Sequence, residues 1–269
     1  MSRLSDVLAA ARAEGRAVLV GYLPAGYPTV EDGAAAMTAM VEAGVDVVEV
    51  GLPYSDPLMD GPTIQAAVEV ALQRHTTTDD VLASVRAVAQ TGAPALVMSY
   101  WNPILRRGVR RFAKEMIEAG GCGVITPDLT PDEAGEWLEA TDETGLDRIF
   151  LVAPSSTEER LRYTTDHCRG FVYAASTMGV TGTRTSVGDA AEKLVARTRA
   201  VTDLPVCVGL GVSSGDQAAE VAAFADGVIV GSAFVRRLLD APDAASGPSA
   251  VADLAAELAD GVRRAKRPG

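Results

Sequence analysis

Eight short apolar runs rich in β-branched residues, Ala-rich helical segments between them, and a length of 269 residues predict an α/β chain closed into a (β/α)8 TIM barrel. The runs fall at 18–22, 47–51, 95–99, 123–126, 148–152, 171–174, 205–209 and 227–231. They are continuous in apolar character rather than alternating, as strands covered on both faces should be. An open doubly wound sheet is the competing fold. It would need a Gly-rich turn after the first strand, and the segment 22–28 holds only Gly26. The whole chain, 1–269, is read as a single barrel domain.

Residues 2–14 read as an extra helix that could plug the barrel bottom. Helical periodicity then recurs at 31–42, 62–74, 79–90, 110–119, 131–143, 158–167 and 190–200, with further helices opening near 215, after 231 and beyond 248. Start signals accompany several, such as Thr130-Pro131-Asp132-Glu133, with a hydroxyl at the cap and proline in the first turn. The stretch between the second and third runs is far longer than the others, because it holds a loop at 52–60 and two helices. An enlarged loop at a strand's C-terminal end is where barrel enzymes put chemistry. Residues 100–107 read as another mouth loop, 176–188 as a Gly- and Thr-rich lid, and 241–248 as a flexible connection.

Composition narrows the function. The chain is 48% hydrophobic and 22% charged, which fits a folded protein. A net charge of −12 argues against nucleic acid or an anionic membrane as the main partner. No apolar stretch has the length of a membrane span, and the N-terminus turns polar at once, unlike a signal peptide. Cys122, Cys168 and Cys207 are few and scattered, which fits a reducing cytoplasm and excludes a cysteine metal cluster. Lys114, Lys193 and Lys266 are the only lysines, and none lies on an apolar strand, so no Schiff-base lysine is in view. His75 and His167 lack ligand spacing. No metal is expected.

Two acids stand out. Glu49 lies inside the apolar run 47–51, where loss of hydration should raise its pKa. Asp60 follows eleven residues later in a Pro-bounded loop, as the charged member of an acid/base pair. Alternatives stay open for both: Glu49 can pair with an arginine of another strand, and Asp60-Gly61-Pro62 is also a good helix start with Asp60 as its cap. Asp56 before Pro57 fixes the turn. For an anionic ligand, Gly209-Leu210-Gly211 after the seventh run and Gly231-Ser232 after the eighth open helices, and backbone amides there can hold phosphate. Tyr173, ending the sixth run, should reach the same mouth.

The segment 48–65, Val-Glu-Val-Gly-Leu-Pro-Tyr-Ser-Asp-Pro-Leu-Met-Asp-Gly-Pro-Thr-Ile-Gln, closely resembles the signature of the tryptophan synthase alpha-subunit family. Similar pieces run through nearly the whole chain: Ala25-Gly26-Tyr27-Pro28, Tyr100-Trp101-Asn102-Pro103, Gly179-Val180-Thr181-Gly182, Gly209 to Ser213 and Gly231-Ser232-Ala233. Departures are Tyr27 where aspartate is common, Tyr54 where phenylalanine is frequent, and Met59 where a small residue is usual.

The resemblance implies a lyase of L-tryptophan biosynthesis that cleaves indole-3-glycerol phosphate to indole and glyceraldehyde 3-phosphate. It implies Glu49 as general acid/base, Asp60 on the indole N–H, and Tyr173 orienting the glutamate or ligand. Tyr22, Ile64 and Tyr100 would flank the indole. Thr181 in the lid would bond near Asp60, and Gly182, Gly211, Gly231 and Ser232 would hold the phosphate. It further implies no cofactor in this chain and a pyridoxal-phosphate beta subunit as partner, in an allosteric α2β2 heterotetramer in the cytoplasm. A stand-alone indole-releasing lyase and a non-catalytic activating subunit are the alternatives. Indole-3-glycerol phosphate synthase fits less well, because it generally needs a strand lysine. The phosphoribosyl isomerases usually carry an acid or cysteine where this chain has Tyr22.

Overall fold

The computed structural model describes residues 2–176 and 184–266, without the side chains of 184–187. All described strands are parallel: β1 (Val18–Pro24), β2 (Val47–Gly51), β3 (Ala95–Met98), β4 (Gly123–Ile125), β5 (Asp147–Ile149), β6 (Leu151–Val152), β7 (Val172–Ala175), β8 (Val206–Gly209) and β9 (Gly227–Val230). The spatial order is β5-β4-β3-β2-β1-β9-β8-β7-β6. β5 and β6 are the two halves of the single run expected at 148–152, interrupted at Phe150. The first half pairs with β4 and the second with β7, so the sheet curls until its two edges meet in one stretch of chain. Eight sequence runs thus make one (β/α)8 barrel.

Strand parity sorts the side chains into two layers. Val18, Val20, Val47, Leu96, Ile125, Ile149, Phe171, Cys207 and Ile229 form the interior cluster, joined by Leu4, Leu8 and Ala11 of helix α1 (Arg3–Ala13). Neighbouring positions such as Leu19, Val48, Val50, Val97, Val124 and Val208 pack outward against the helices. This is why the runs lack alternation: both faces are dry. Ser2 caps α1, accepting from the Ser5 N–H, and its hydroxyl donates to Asp147 at the start of β5. The extra helix is thereby pinned under the barrel.

Local differences from the sequence reading have identifiable causes. Residues 101–107, expected as loop, form a helix (Trp101–Arg107), which with α2 (Val30–Glu42), α3 (Pro62–Gln73) and α4 (Thr78–Gln90) we number α5. Its first N–H, that of Trp101, is accepted by Asp128 Oδ1 at 2.9 Å, a cap supplied 27 positions away and invisible to local pattern. Pro131–Glu133 is a 3-10 turn whose N–H groups Thr130 does not cap with its side chain, and the α-helix starts only at Gly135. The connection at 241–248 contains a 3-10 turn (Ala244–Ser246), in which Asp243 accepts the Ser246 N–H, and the last helix already begins at Gly247. Among the described residues no helix is long and apolar enough to cross a membrane.

Candidate active site

Register places Glu49 on β2 between Tyr22 of β1 and Leu96 of β3, pointing into the barrel near its C-terminal mouth. The side chain is 0% exposed, and neither carboxyl oxygen has a hydrogen-bond partner among the described residues. The arginine alternative fails on a specific residue. Arg148 starts on β5 but donates to Asp142 at 2.6 Å and to the His167 carbonyl at 2.7 Å. With nothing to replace lost water, burial pushes the Glu49 carboxyl up to about 8. At neutral pH the group is therefore mostly an acid.

Asp60 sits at the end of the loop after β2. The cap of α3 is Gly61, with Pro62 following, and no side chain caps the helix, so the cap alternative for Asp60 is also removed. Its carboxylate instead accepts from the Tyr100 hydroxyl at 3.2 Å, while the same phenol oxygen accepts the Met59 N–H at 2.9 Å. Tyr100 is thus a clamp on the loop. The Tyr54 ring lies 5.3 Å from that of Tyr100, and Asn102 Nδ2 donates to the Tyr54 hydroxyl at 3.2 Å. Partial burial raises the Asp60 carboxyl above its ordinary range, and the Tyr100 bond opposes this.

Glu49 and Asp60 share a cavity of about 250 Å³ with Tyr22, Ile64, Tyr173, Gly211, Gly231 and Ser232. Met98, Leu210 and Ile229 complete its apolar wall. These three were not singled out from the sequence, although strand parity would have found Met98, two residues beyond inward-facing Leu96. Thr181 and Gly182 lie outside the described residues, as does most of the 176–188 lid.

Two glycines make room for the tyrosines. A Cβ on Gly51 would lie 2.4 Å from the Tyr22 hydroxyl, and one on Gly209 would lie 2.5 Å from that of Tyr173. Both phenols are held well above their ordinary pKa, first by burial; Asp60 and then Glu49 add to it at Tyr22, and Glu49 at Tyr173. They are neutral donors beside the acids. After β8 and β9, Gly211 takes φ +76°, and helix α11 (Ser232–Leu239, after α6 Val109–Glu118, α7 Gly135–Thr144, α8 Glu158–His167, α9 Arg184–Arg199 and α10 Gly215–Ala222) presents its N-terminus to the cavity. A larger cleft of about 390 Å³ opens under α1 at the opposite end of the barrel, but the carboxylate lining it, Asp226, is paired with Arg199 at 2.9 Å. Chemistry, not size, selects the mouth.

Fold and site together define a barrel enzyme with a buried carboxyl and a second carboxylate at the strand C-termini, facing the loops that open α10 and α11. The particular family follows from comparison: residues 8–263 match the model of the tryptophan synthase alpha chain, and the chain belongs to that family. It is 62% identical over 270 residues to the tryptophan synthase alpha chain of Thermobifida fusca, covering 99% of this chain and 100% of the relative. It is likewise 62% identical to that of Salinispora tropica, covering 98% of each. Among solved structures, a chain of Mycobacterium tuberculosis tryptophan synthase superposes with a TM-score of 0.90 at 57% identity, covering 97% of this chain and 98% of the other. Tryptophan synthase subunit alpha of Legionella pneumophila gives 0.89 at 33% identity, covering 97% of this chain and 98% of that one. The chain is thus a lyase of tryptophan biosynthesis acting on indole-3-glycerol phosphate, and an alpha chain implies a beta partner.

Proposed function

We propose that Glu49 shuttles the protons of the retro-aldol cleavage and that Asp60 carries the charge that develops on the indole ring. The observation that supports this most directly is a fully buried carboxyl with both oxygens unpartnered among the described residues, opening on the cavity that also holds Asp60. As an acid, Glu49 gives its proton to indole C3, and positive charge develops at the ring nitrogen. Asp60, ionised beside Tyr100, accepts a hydrogen bond from that N–H. The Glu49 carboxylate then takes the proton of the adjacent side-chain hydroxyl. The carbon–carbon bond breaks, its electron pair restores the indole ring, and the new carbonyl leaves as glyceraldehyde 3-phosphate. Glu49 ends protonated, ready for the next turnover.

Tyr173 orients the Glu49 carboxyl or the ligand, while Tyr22, Ile64 and Tyr100 bound the indole. The amides and hydroxyls of Gly182, Gly211, Gly231 and Ser232 hold the phosphate, and Thr181 bonds near Asp60. In a chain of net charge −12, such local amide donors matter more than the global field. Asp60→Asn keeps the shape but removes the charge. We expect turnover to fall ~10²-fold, the lower range for losing one electrostatic stabiliser, with little change in affinity for a non-cleavable analogue. Equal losses in both quantities would refute the assignment.

We infer one cytoplasmic barrel over 1–269 that needs no cofactor of its own, with pyridoxal phosphate carried by the beta subunit of an α2β2 complex. The barrel mouth supports docking there. Leu58 is 78% exposed and Met59 48% exposed on the loop after β2, and Leu105 on α5 is 53% exposed. Large apolar side chains in water beside an active site mark an interaction surface. Size-exclusion chromatography with the cognate beta chain should show a complex, weakened by Leu58→Asp; no complex with the unaltered chain would overturn the docking.

A further inference from the structure

We propose that Arg236 is a positioning residue, which ties α11 to α3 through Thr63 and so sets Asp60 and Ile64 against the phosphate-holding end of α11. Arg236 Nη2 donates to Thr63 Oγ1 at 2.8 Å, across 173 positions of sequence. Arg236 is four residues beyond Ser232 on α11, so both lie on one face of that helix. Thr63 is in the first turn of α3, between Gly61 and Ile64, both of which line the cavity. That first turn is not held by a cap of its own, because Gly61 offers no side chain. Among the described residues the guanidinium's other contact, to Asp240 at the C-cap of its own helix, is long at 3.9 Å. The bond to Thr63 therefore joins the element that carries the anion site to the element that follows Asp60.

The consequence is a fixed distance between the two ends of the substrate. Phosphate anchors on α11, and the indole edge is met by Asp60 and Ile64. A slack joint between the helices would leave phosphate binding intact but blur the alignment of the ring nitrogen with the carboxylate. Thr63→Val removes only the accepting oxygen, and Arg236→Met removes the donor while keeping the stem.

This inference rests on the roles of Asp60 and Ser232 proposed above. Steady-state cleavage of indole-3-glycerol phosphate by the full chain tests it, with inorganic phosphate as a competing probe of the anion site. Each single variant should lose about three- to tenfold in kcat, the range of one net hydrogen bond, with the inhibition constant for phosphate unchanged. The double variant should be no worse than the poorer single one. Unaltered kcat in Thr63→Val, additive losses in the double variant, or weaker phosphate inhibition in Arg236→Met alone would each overturn it, the last by showing that the guanidinium acts through its charge. Wild-type turnover in Asp60→Asn would remove the underlying reading instead, so the two failures are distinct.

Discussion

Glu49→Gln should lower turnover of indole-3-glycerol phosphate by at least ~10²-fold at neutral pH, the smaller end of what a positioned acid/base contributes. The amide keeps the volume of the side chain and can still line the cavity, so the substrate should bind nearly as before. It can neither deliver a proton to carbon nor collect one from a hydroxyl. The pH profile carries the diagnostic sign. Burial holds the carboxyl protonated up to about 8 in the free chain. If cleavage begins with proton delivery, kcat/KM for the wild-type chain should be flat below that value and fall about tenfold per pH unit above it. The residual activity of Glu49→Gln should lack that descent. A variant with wild-type turnover, or one that retains the alkaline descent, would show that another group moves the proton.

How much of this site was legible depended on how local its physics is. Glu49 could be read directly, because a carboxyl inside Val-Val-Glu-Val-Gly has no means of staying hydrated, whatever surrounds the strand. The barrel was legible for the same reason: the outward and inward faces of each strand are both apolar. Asp60 was ambiguous, since Asp-Gly-Pro encodes a helix start as readily as a reactive acid. Only the fold separates the two, by making Gly61 the cap and bringing the Tyr100 hydroxyl, 40 positions away, onto the carboxylate.

Helix α5 was missed because its cap, Asp128, arrives from the next loop. The break at Phe150 was missed because an uninterrupted apolar run gives no sign of which neighbour each half will pair with. The pairing of Arg236 with Thr63 carried no signal, since barrel closure brings together two helices 173 positions apart. Properties set by desolvation thus appear in the sequence, whereas those set by pairing across the fold do not.

The desolvation that equips Glu49 for catalysis has a measurable cost, and the same substitution should expose it. In the unfolded chain this carboxyl ionises near its ordinary value of 4.5, whereas the native state keeps the proton to about 8. Between those values the native state binds more protons than the unfolded one, so stability contributed at this position falls as pH rises. The loss is about 1.4 kcal/mol per pH unit. It reaches ~3 kcal/mol at pH 7 and levels near ~5 kcal/mol above pH 8, as order-of-magnitude figures from the same linkage. Glutamine has no proton to lose and leaves its neighbours equally packed. Glu49→Gln should therefore match the wild-type chain in denaturant unfolding below about pH 4.5 and become progressively more stable above it, while being nearly inactive throughout. A stability difference that does not change with pH, or one that favours the wild-type chain at pH 8, would mean that the carboxylate is compensated in the folded protein. The acid that cleaves the substrate would then have to be sought elsewhere in the cavity.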